Sequence, residues 1–126
     1  MMLASRIAAA AALSFSTIAS AQFAPAPVRV INLVSYSYAP APIVLRAGQP
    51  VTLQFVNRAG KSHDFTAQRF FRSSRILSGH VEDGEVELRP GEAASVTLIP
   101  AAGRYEAHCS HLFHKALGMR TTILVQ

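Results

Sequence analysis

Apolar and polar residues alternate along most of this chain over short runs, which is the period of a strand with one buried face. Val28 to Val34 is partly alternating and rich in β-branched residues. The prolines of Ala39-Pro40-Ala41-Pro42 break it, and Ile43-Val44-Leu45 starts a second strand. After the turn Ala47-Gly48-Gln49-Pro50, Val51 to Asn57 alternates cleanly, with Val51, Leu53 and Phe55 on one face. His63 to Ala67 resumes an extended pattern beyond the loop Arg58 to Ser62. Gly84 to Leu88, Ser95 to Ile99, Arg104 to Cys109 and Arg120 to Val125 complete the set, with Pro90-Gly91 as a further turn. Gln68 to Gly79 differs: Phe70, Phe71, Ser74 and Leu77 can share a helix face while Arg69, Arg72 and Arg75 fall on another, so a short helix or helical loop is expected. The pattern predicts an all-β Greek-key β-sandwich of about seven or eight short antiparallel strands with a short helical insertion.

The first residues follow a different logic. Met1 to Arg6 carry one positive charge, Ile7 to Ile18 is an Ala/Leu/Phe-rich run, and Ala19-Ser20-Ala21 has the small-x-small form of a cleavage site. The run is too short to span a bilayer comfortably. A signal peptide over 1–21, cleaved after Ala21, an Ala/Pro-rich linker over 22–27 and one domain over 28–126 are therefore expected. No Cys stands at the cleavage point, which excludes a lipoprotein anchor. The product is expected to be exported to the periplasm.

Composition removes several classes. Half of the 126 residues are hydrophobic and only 15 % are charged, which argues against intrinsic disorder. One Cys cannot form an internal disulfide, and it is too few for a zinc finger or an iron–sulfur cluster. A lone thiol in an oxidising compartment suggests that Cys109 is occupied by something else.

The chemistry concentrates in His108-Cys109-Ser110-His111-Leu112-Phe113-His114-Lys115-Ala116-Leu117-Gly118-Met119. One thiolate, three imidazoles and one thioether are soft and borderline ligands that select copper over hard cations. An electron-exchanging copper site wants two His and one Cys in a near-trigonal plane with a weak axial Met. Cys109, His114 and Met119 supply three of those from one loop, and His63, which opens a strand, is the candidate for the fourth.

Here the chain resembles the cupredoxins, or blue copper proteins, of the plastocyanin and azurin kind. The resemblance runs through Ala47-Gly48-Gln49-Pro50-Val51, Leu53 to Asn57, His63, Leu88 to Glu92, Gly103-Arg104-Tyr105, and Cys109 to Met119 with its Cys-x4-His-x4-Met spacing. It implies one copper ion cycling between Cu(I) and Cu(II), held by His63, Cys109, His114 and Met119, in a one-electron carrier rather than an enzyme. In related folds the ligand equivalent to His114 is the most exposed and the natural exit for an electron. The spacing is also similar to the electron-accepting copper of multicopper oxidases. Ser110, however, stands where those place a second His, and no His-x-His pair for a trinuclear cluster occurs in the chain. A further departure is Asp64, where many cupredoxins have an Asn that pins the ligand loops together.

The remaining candidates are weaker. His111 could replace His114 but fits better as a residue outside the ligand set. His108 should point away from the thiolate, with a second metal site involving His80 or His111 as its alternative, and His80 reads as a loop residue. Alone, Cys109 could be an inert core thiol and Met119 core packing. Leu112, Phe113, Ala116 and Leu117 either surround His114 with a patch for brief docking of a redox partner or pack the loop onto the sandwich. The Arg69, Arg72 and Arg75 set could steer an acidic partner but fits a solvated helix face better. A monomer with no membrane span and no nucleic-acid partner is expected. Two rivals to the electron carrier are a copper-handling protein for storage, delivery or resistance, and a small redox enzyme with an open copper position.

Overall fold

A computed structural model describes residues 9–14, 16, 24–114 and 116–126. The expected leader over 1–21 lies largely outside the described residues; 9–14 and 16 form neither helix nor strand. Among the described residues, ten strands and one helix follow in the order β1 (Val28–Val34), β2 (Ser37–Ala39), β3 (Ile43–Leu45), β4 (Val51–Asn57), β5 (His63–Thr66), α1 (Gln68–Ser73), β6 (Arg75–Ser78), β7 (Glu85–Leu88), β8 (Ala93–Ile99), β9 (Gly103–His108) and β10 (Arg120–Val125).

The strands form two five-stranded sheets, ordered β2-β1-β4-β8-β6 and β3-β10-β9-β5-β7. The chain stays within one sheet only at the β1–β2 hairpin and at β9–β10, and otherwise crosses between sheets at each step. The expected sandwich is present, with two corrections. It is mixed rather than antiparallel, because β1 runs parallel to β4 and β3 parallel to β10. The extra strands are β2, which pairs with the end of β1, and β6.

The clean alternation of Val51 to Asn57 becomes a strict inside–outside pattern, with Val51, Leu53, Phe55 and Asn57 buried. Phe55 meets Phe65 of the opposite sheet at 4.8 Å between ring centroids. Tyr38 and Phe71 press edge-on against Phe65 at 5.4 and 6.1 Å. The core thus runs from Ile31, Leu33, Leu53, Val96 and Leu98 on one side to Leu88, Ala107 and Ile123 on the other.

The helix expected over Gln68 to Gly79 ends at Ser73, and Arg75–Ser78 is a strand. Ser73 and Ser74 turn their hydroxyls back onto the carbonyls of Arg69 and Phe70 at 2.6 and 2.8 Å, which competes with continued winding. The edge of β8 then offers ladder partners, with Arg75 opposite Ile99 and Ile76 opposite Leu98. Only Phe70 and Phe71 of the expected apolar face are buried; Leu77 is exposed, and Arg75 leaves the face it was expected to share with Arg69 and Arg72. Gly79 follows with φ +94°, and its Cα lies against the backbone of Ser95 and Val96, where a side chain has no room.

Candidate metal centre

The site lies at one end of the sandwich, where β5 begins and the segment joining β9 to β10 closes over it. His63 reaches it because Asn57, buried at the end of β4, braces the intervening loop. Its Nδ2 donates to the carbonyls of Lys61 and Leu88 at 2.8 and 3.0 Å, and its Oδ1 accepts from the Ala59 N–H at 2.9 Å. His63 is thereby fully buried at the first position of β5.

The β9–β10 segment holds its own shape through backbone bonds. The Cys109 N–H donates to the Met119 carbonyl at 3.1 Å, the Met119 N–H to the His114 carbonyl at 3.0 Å, and the His114 N–H to the His111 carbonyl at 3.1 Å. Gly118 allows the return into β10 with φ +88°, a conformation that costs glycine little. Cys109 and Met119 are fully buried, whereas His114 is half-buried.

Three donor atoms converge. His63 Nδ1 and His114 Nδ1 are 3.1 Å apart, and Cys109 Sγ lies 3.9 Å from the first and 3.4 Å from the second. The point equidistant from all three lies about 2.0 Å from each, close to the bond length that imidazole nitrogen, and only slightly less than that which thiolate sulfur, makes to a transition-metal ion. Two imidazoles and a thiol at this separation fit a soft or borderline metal. Of the expected residues, the structure brings His63, Cys109 and His114 together and puts Met119 in the buried return of the same segment.

Titration shifts agree with a site built for neutral nitrogens. Burial lowers the His63 pKa, and the nearby His114 and His111 rings lower it further. His114 is lowered by partial burial and by the charges of His111 and Lys61. Burial raises the Cys109 thiol above its ordinary value, partly opposed by backbone N–H groups of Asp64 and His111 that face the sulfur.

Several residues around the centre were not foreseen. Ser35 Oγ stands 3.0 Å from His63 Nε2, so the nitrogen that does not face the sulfur is also held. The Tyr36 ring sits edge-on to His63 and His114, at 6.0 and 5.1 Å between centroids, and its hydroxyl accepts from Lys61 Nζ at 3.3 Å. Tyr38 donates to the Asp64 carbonyl at 2.6 Å, and its burial pushes the phenol pKa far above the ordinary value. Ser35, Tyr36 and Tyr38 belong to the β1–β2 hairpin; among polar residues in loops, nothing local marks them as neighbours of His63.

His111 stays outside the converging trio. Its Nε2 lies 2.8 and 3.0 Å from the two Glu87 carboxylate oxygens and 3.7 Å from Asp64 Oδ2, and its ring stacks on His114 at 5.2 Å. Two further groupings have ligand atoms within 4.8 Å of one another: Asp64 with Cys109 and His111, and Asp64 with Glu85 and Glu87. Burial and the adjacent Asp64 raise the Glu85 pKa. His108 pairs with Arg120 in the ladder, and His80 is exposed 3.6 Å from Glu82; neither belongs to a metal-capable grouping among the described residues. Leu112, Phe113 and Leu117 are 78 %, 70 % and 58 % exposed, so the alternative in which Phe113 and Leu117 pack down onto the sandwich does not hold.

The family profile of the cupredoxin-like domain matches residues 6–125. The chain belongs to the cupredoxin-like family. Solved structures similar to this cupredoxin include auracyanin B, at 22 % identity and a TM-score of 0.59, with 83 % of this chain and 92 % of that one covered. The dithionite-reduced auracyanin of Roseiflexus castenholzii matches at 20 % identity and a TM-score of 0.60, covering 82 % and 99 %. The multicopper oxidase of Campylobacter jejuni, described as a metallo-oxidase, matches at 13 % identity and 0.63, over 86 % of this cupredoxin but 32 % of that chain. A search of curated sequences found no match. At these identities the likeness concerns the fold. Among the described residues, no helix of this cupredoxin is long and apolar enough to cross a membrane.

Proposed function

We propose that this cupredoxin is a one-electron carrier that holds a single copper ion through His63, Cys109 and His114, with Met119 as a weak fourth ligand. The observation that carries the reading is the approach of Cys109 Sγ and two Nδ1 atoms to within 3.1–3.9 Å of one another from two separate stretches of the sandwich, the start of β5 and the β9–β10 segment. A copper ion held there supplies Cu(II)/Cu(I) chemistry with no bond made or broken in a substrate. The chain's part is to keep one geometry for both oxidation states. Ser35 fixes the His63 ring, Asn57 braces its loop, and the Cys109–Met119 backbone bond ties the two ends of the ligand segment.

His114 is the ligand nearest the surface and the natural route for the electron. The exposed Leu112, Phe113 and Leu117 beside it form an apolar collar suited to brief docking of a partner protein. Similar solved structures, which include a blue copper protein from Chloroflexus aurantiacus, support the same reading. We read residues 1–21 as a leader that takes the protein to the periplasm, on the strength of the Ala19-Ser20-Ala21 signature.

The test is an optical and electron paramagnetic resonance titration of the purified protein with Cu(II), beside Cys109→Ser. Strong visible thiolate-to-copper absorption at one equivalent, lost in Cys109→Ser, is the expected result. Weak absorption, with copper still bound by Cys109→Ser, would overturn the reading in favour of a His-based copper-handling protein.

A further inference from the structure

Charge is unevenly divided over the outer face of the sheet β3-β10-β9-β5-β7. On β9, Tyr105 and Ala107 point into the core, so Arg104, Glu106 and His108 point outward. The ladder sets Leu124, Thr122 and Arg120 of β10 opposite them. On β7, Val86 and Leu88 are the buried positions, which puts Glu85 and Glu87 on the same outer face at its far edge.

The β9–β10 half of this face is grooved. β5 meets β9 at the single pair Thr66–His108, so the sheet opens beyond that pair and α1 brings Arg69 to the gap. The cleft there, about 400 Å³, shares Arg104, Glu106 and His108 with a second hollow of about 590 Å³ that continues over Arg120 and Leu124 to Pro42. Three exposed guanidinium groups, Arg69, Arg104 and Arg120, thus line the groove with one exposed carboxylate, Glu106. Among the described residues none of the three is in an ion pair. Arg69 instead lies over the Tyr105 ring at 5.7 Å, which keeps it at the cleft.

The layout selects among anions. Arg104 lies opposite Leu124, four residues beyond Arg120, so the two arginines stand about 14 Å apart along the strands at about 3.4 Å per residue. That separation suits an array of carboxylates and is too wide for one small anion. Arginine's planar fork of donors matches carboxylates in pairs. A flat lipid surface would rest on the rims of the hollows and meet Glu106 between the arginines. A second copy would have to lay its own Glu85–Glu87 half on the groove, and Glu87 is already engaged by His111.

We propose that the groove over β9, β10 and the start of α1 is a docking surface for an acidic protein segment carrying several Asp or Glu side chains. Arg69, Arg104 and Arg120 attract it, and Glu85 and Glu87 repel it from the β7 half, which fixes its orientation. The exposed Leu112, Phe113 and Leu117 do not line the groove, and nothing in the proposal depends on a bound metal.

The test is calorimetric titration of the full protein with poly-L-glutamate. Affinity is expected to fall at least tenfold between about 0.01 and 0.15 M salt, as the screening length shortens from about 30 to 8 Å. Arg104→Gln combined with Arg120→Gln is expected to weaken binding at least tenfold. Arg29→Gln combined with Arg75→Gln, which removes the same charge from the opposite sheet, is expected to weaken it less than threefold. Glu106→Gln is expected to tighten binding at least twofold, and this mild surface change still decides the matter should the arginine variants fail to fold. Equal losses in the two double variants, or no tightening in Glu106→Gln, would overturn the proposal in favour of a diffuse effect of net charge. Absence of binding to poly-L-glutamate would also overturn it. In that event, binding to phosphatidylglycerol vesicles that Arg104→Gln with Arg120→Gln abolishes would assign the groove to lipid. Self-association in sedimentation, abolished by the same pair, would assign it to a second copy.

Discussion

Replacing Ser35 by Ala removes one oxygen atom, and the structure sets how much that should matter. His63 is fully buried, with Nδ1 turned toward Cys109 Sγ and His114 Nδ1. A lone pair on Nδ1 requires the proton on Nε2, which therefore donates to Ser35 Oγ at 3.0 Å. Ser35 itself is exposed, so water can enter the space its hydroxyl leaves. The loss is then the net worth of one hydrogen bond, about 1 kcal/mol, rather than the larger penalty of a stranded buried donor. In a domain of this size that corresponds to a melting temperature lower by about 4–8 °C. The effect on the site is larger, because the ring loses the bond that fixes its tautomer and orientation. Loss of such an outer partner typically weakens metal binding by about 10- to 100-fold. Thermal unfolding in the presence of a chelator measures the first effect and competition titration with copper the second. Ser35→Thr, which keeps a hydroxyl, should retain most of the affinity. Equal copper affinity in wild type and Ser35→Ala would refute the idea that Ser35 orients the ligand.

Two more outcomes follow from the same geometry. Because burial lowers the pKa of His63 and His114 from 6.5, the unfolded chain takes up protons first as pH falls, and the metal-free protein is expected to lose stability below about pH 6.5. Because the Cys109 pKa is raised above 9.0, the unfolded chain releases its proton first on the alkaline side, so stability should also decline as pH rises above 9.0. Melting temperatures across that range check both limbs, and a flat profile would contradict them. At neutral pH the thiol must shed its proton on metal uptake, so copper affinity should rise about tenfold per pH unit, as titrations at several pH values would reveal. Phe65→Ala, in the middle of the ring cluster of Tyr38, Phe55 and Phe71, should cost about 3–5 kcal/mol of stability, read from denaturant unfolding. A loss below about 1 kcal/mol would mean that the neighbouring rings collapse into the space.

Much of this protein is legible one residue at a time. Alternation in Val51 to Asn57 is a local signal, and burial follows it position for position. The Cys109, His114 and Met119 spacing is local too, since all three lie in one segment between consecutive strands, and Pro and Gly mark the turns because they restrict or free single backbone angles. The tertiary structure alone decided what stands across from what. Arg75 to Ser78 could wind as a helix, but the free edge of β8 supplies hydrogen bonds that a helix does not need and a strand does. Parallel pairing of β1 with β4 leaves no trace in either strand, since side-chain period is the same for both directions. Ser35 meets His63 across 28 positions, and Asp64 meets Ser110 across 46. Such pairs depend on two distant segments arriving at one point, and no pattern of neighbours within either segment encodes the meeting.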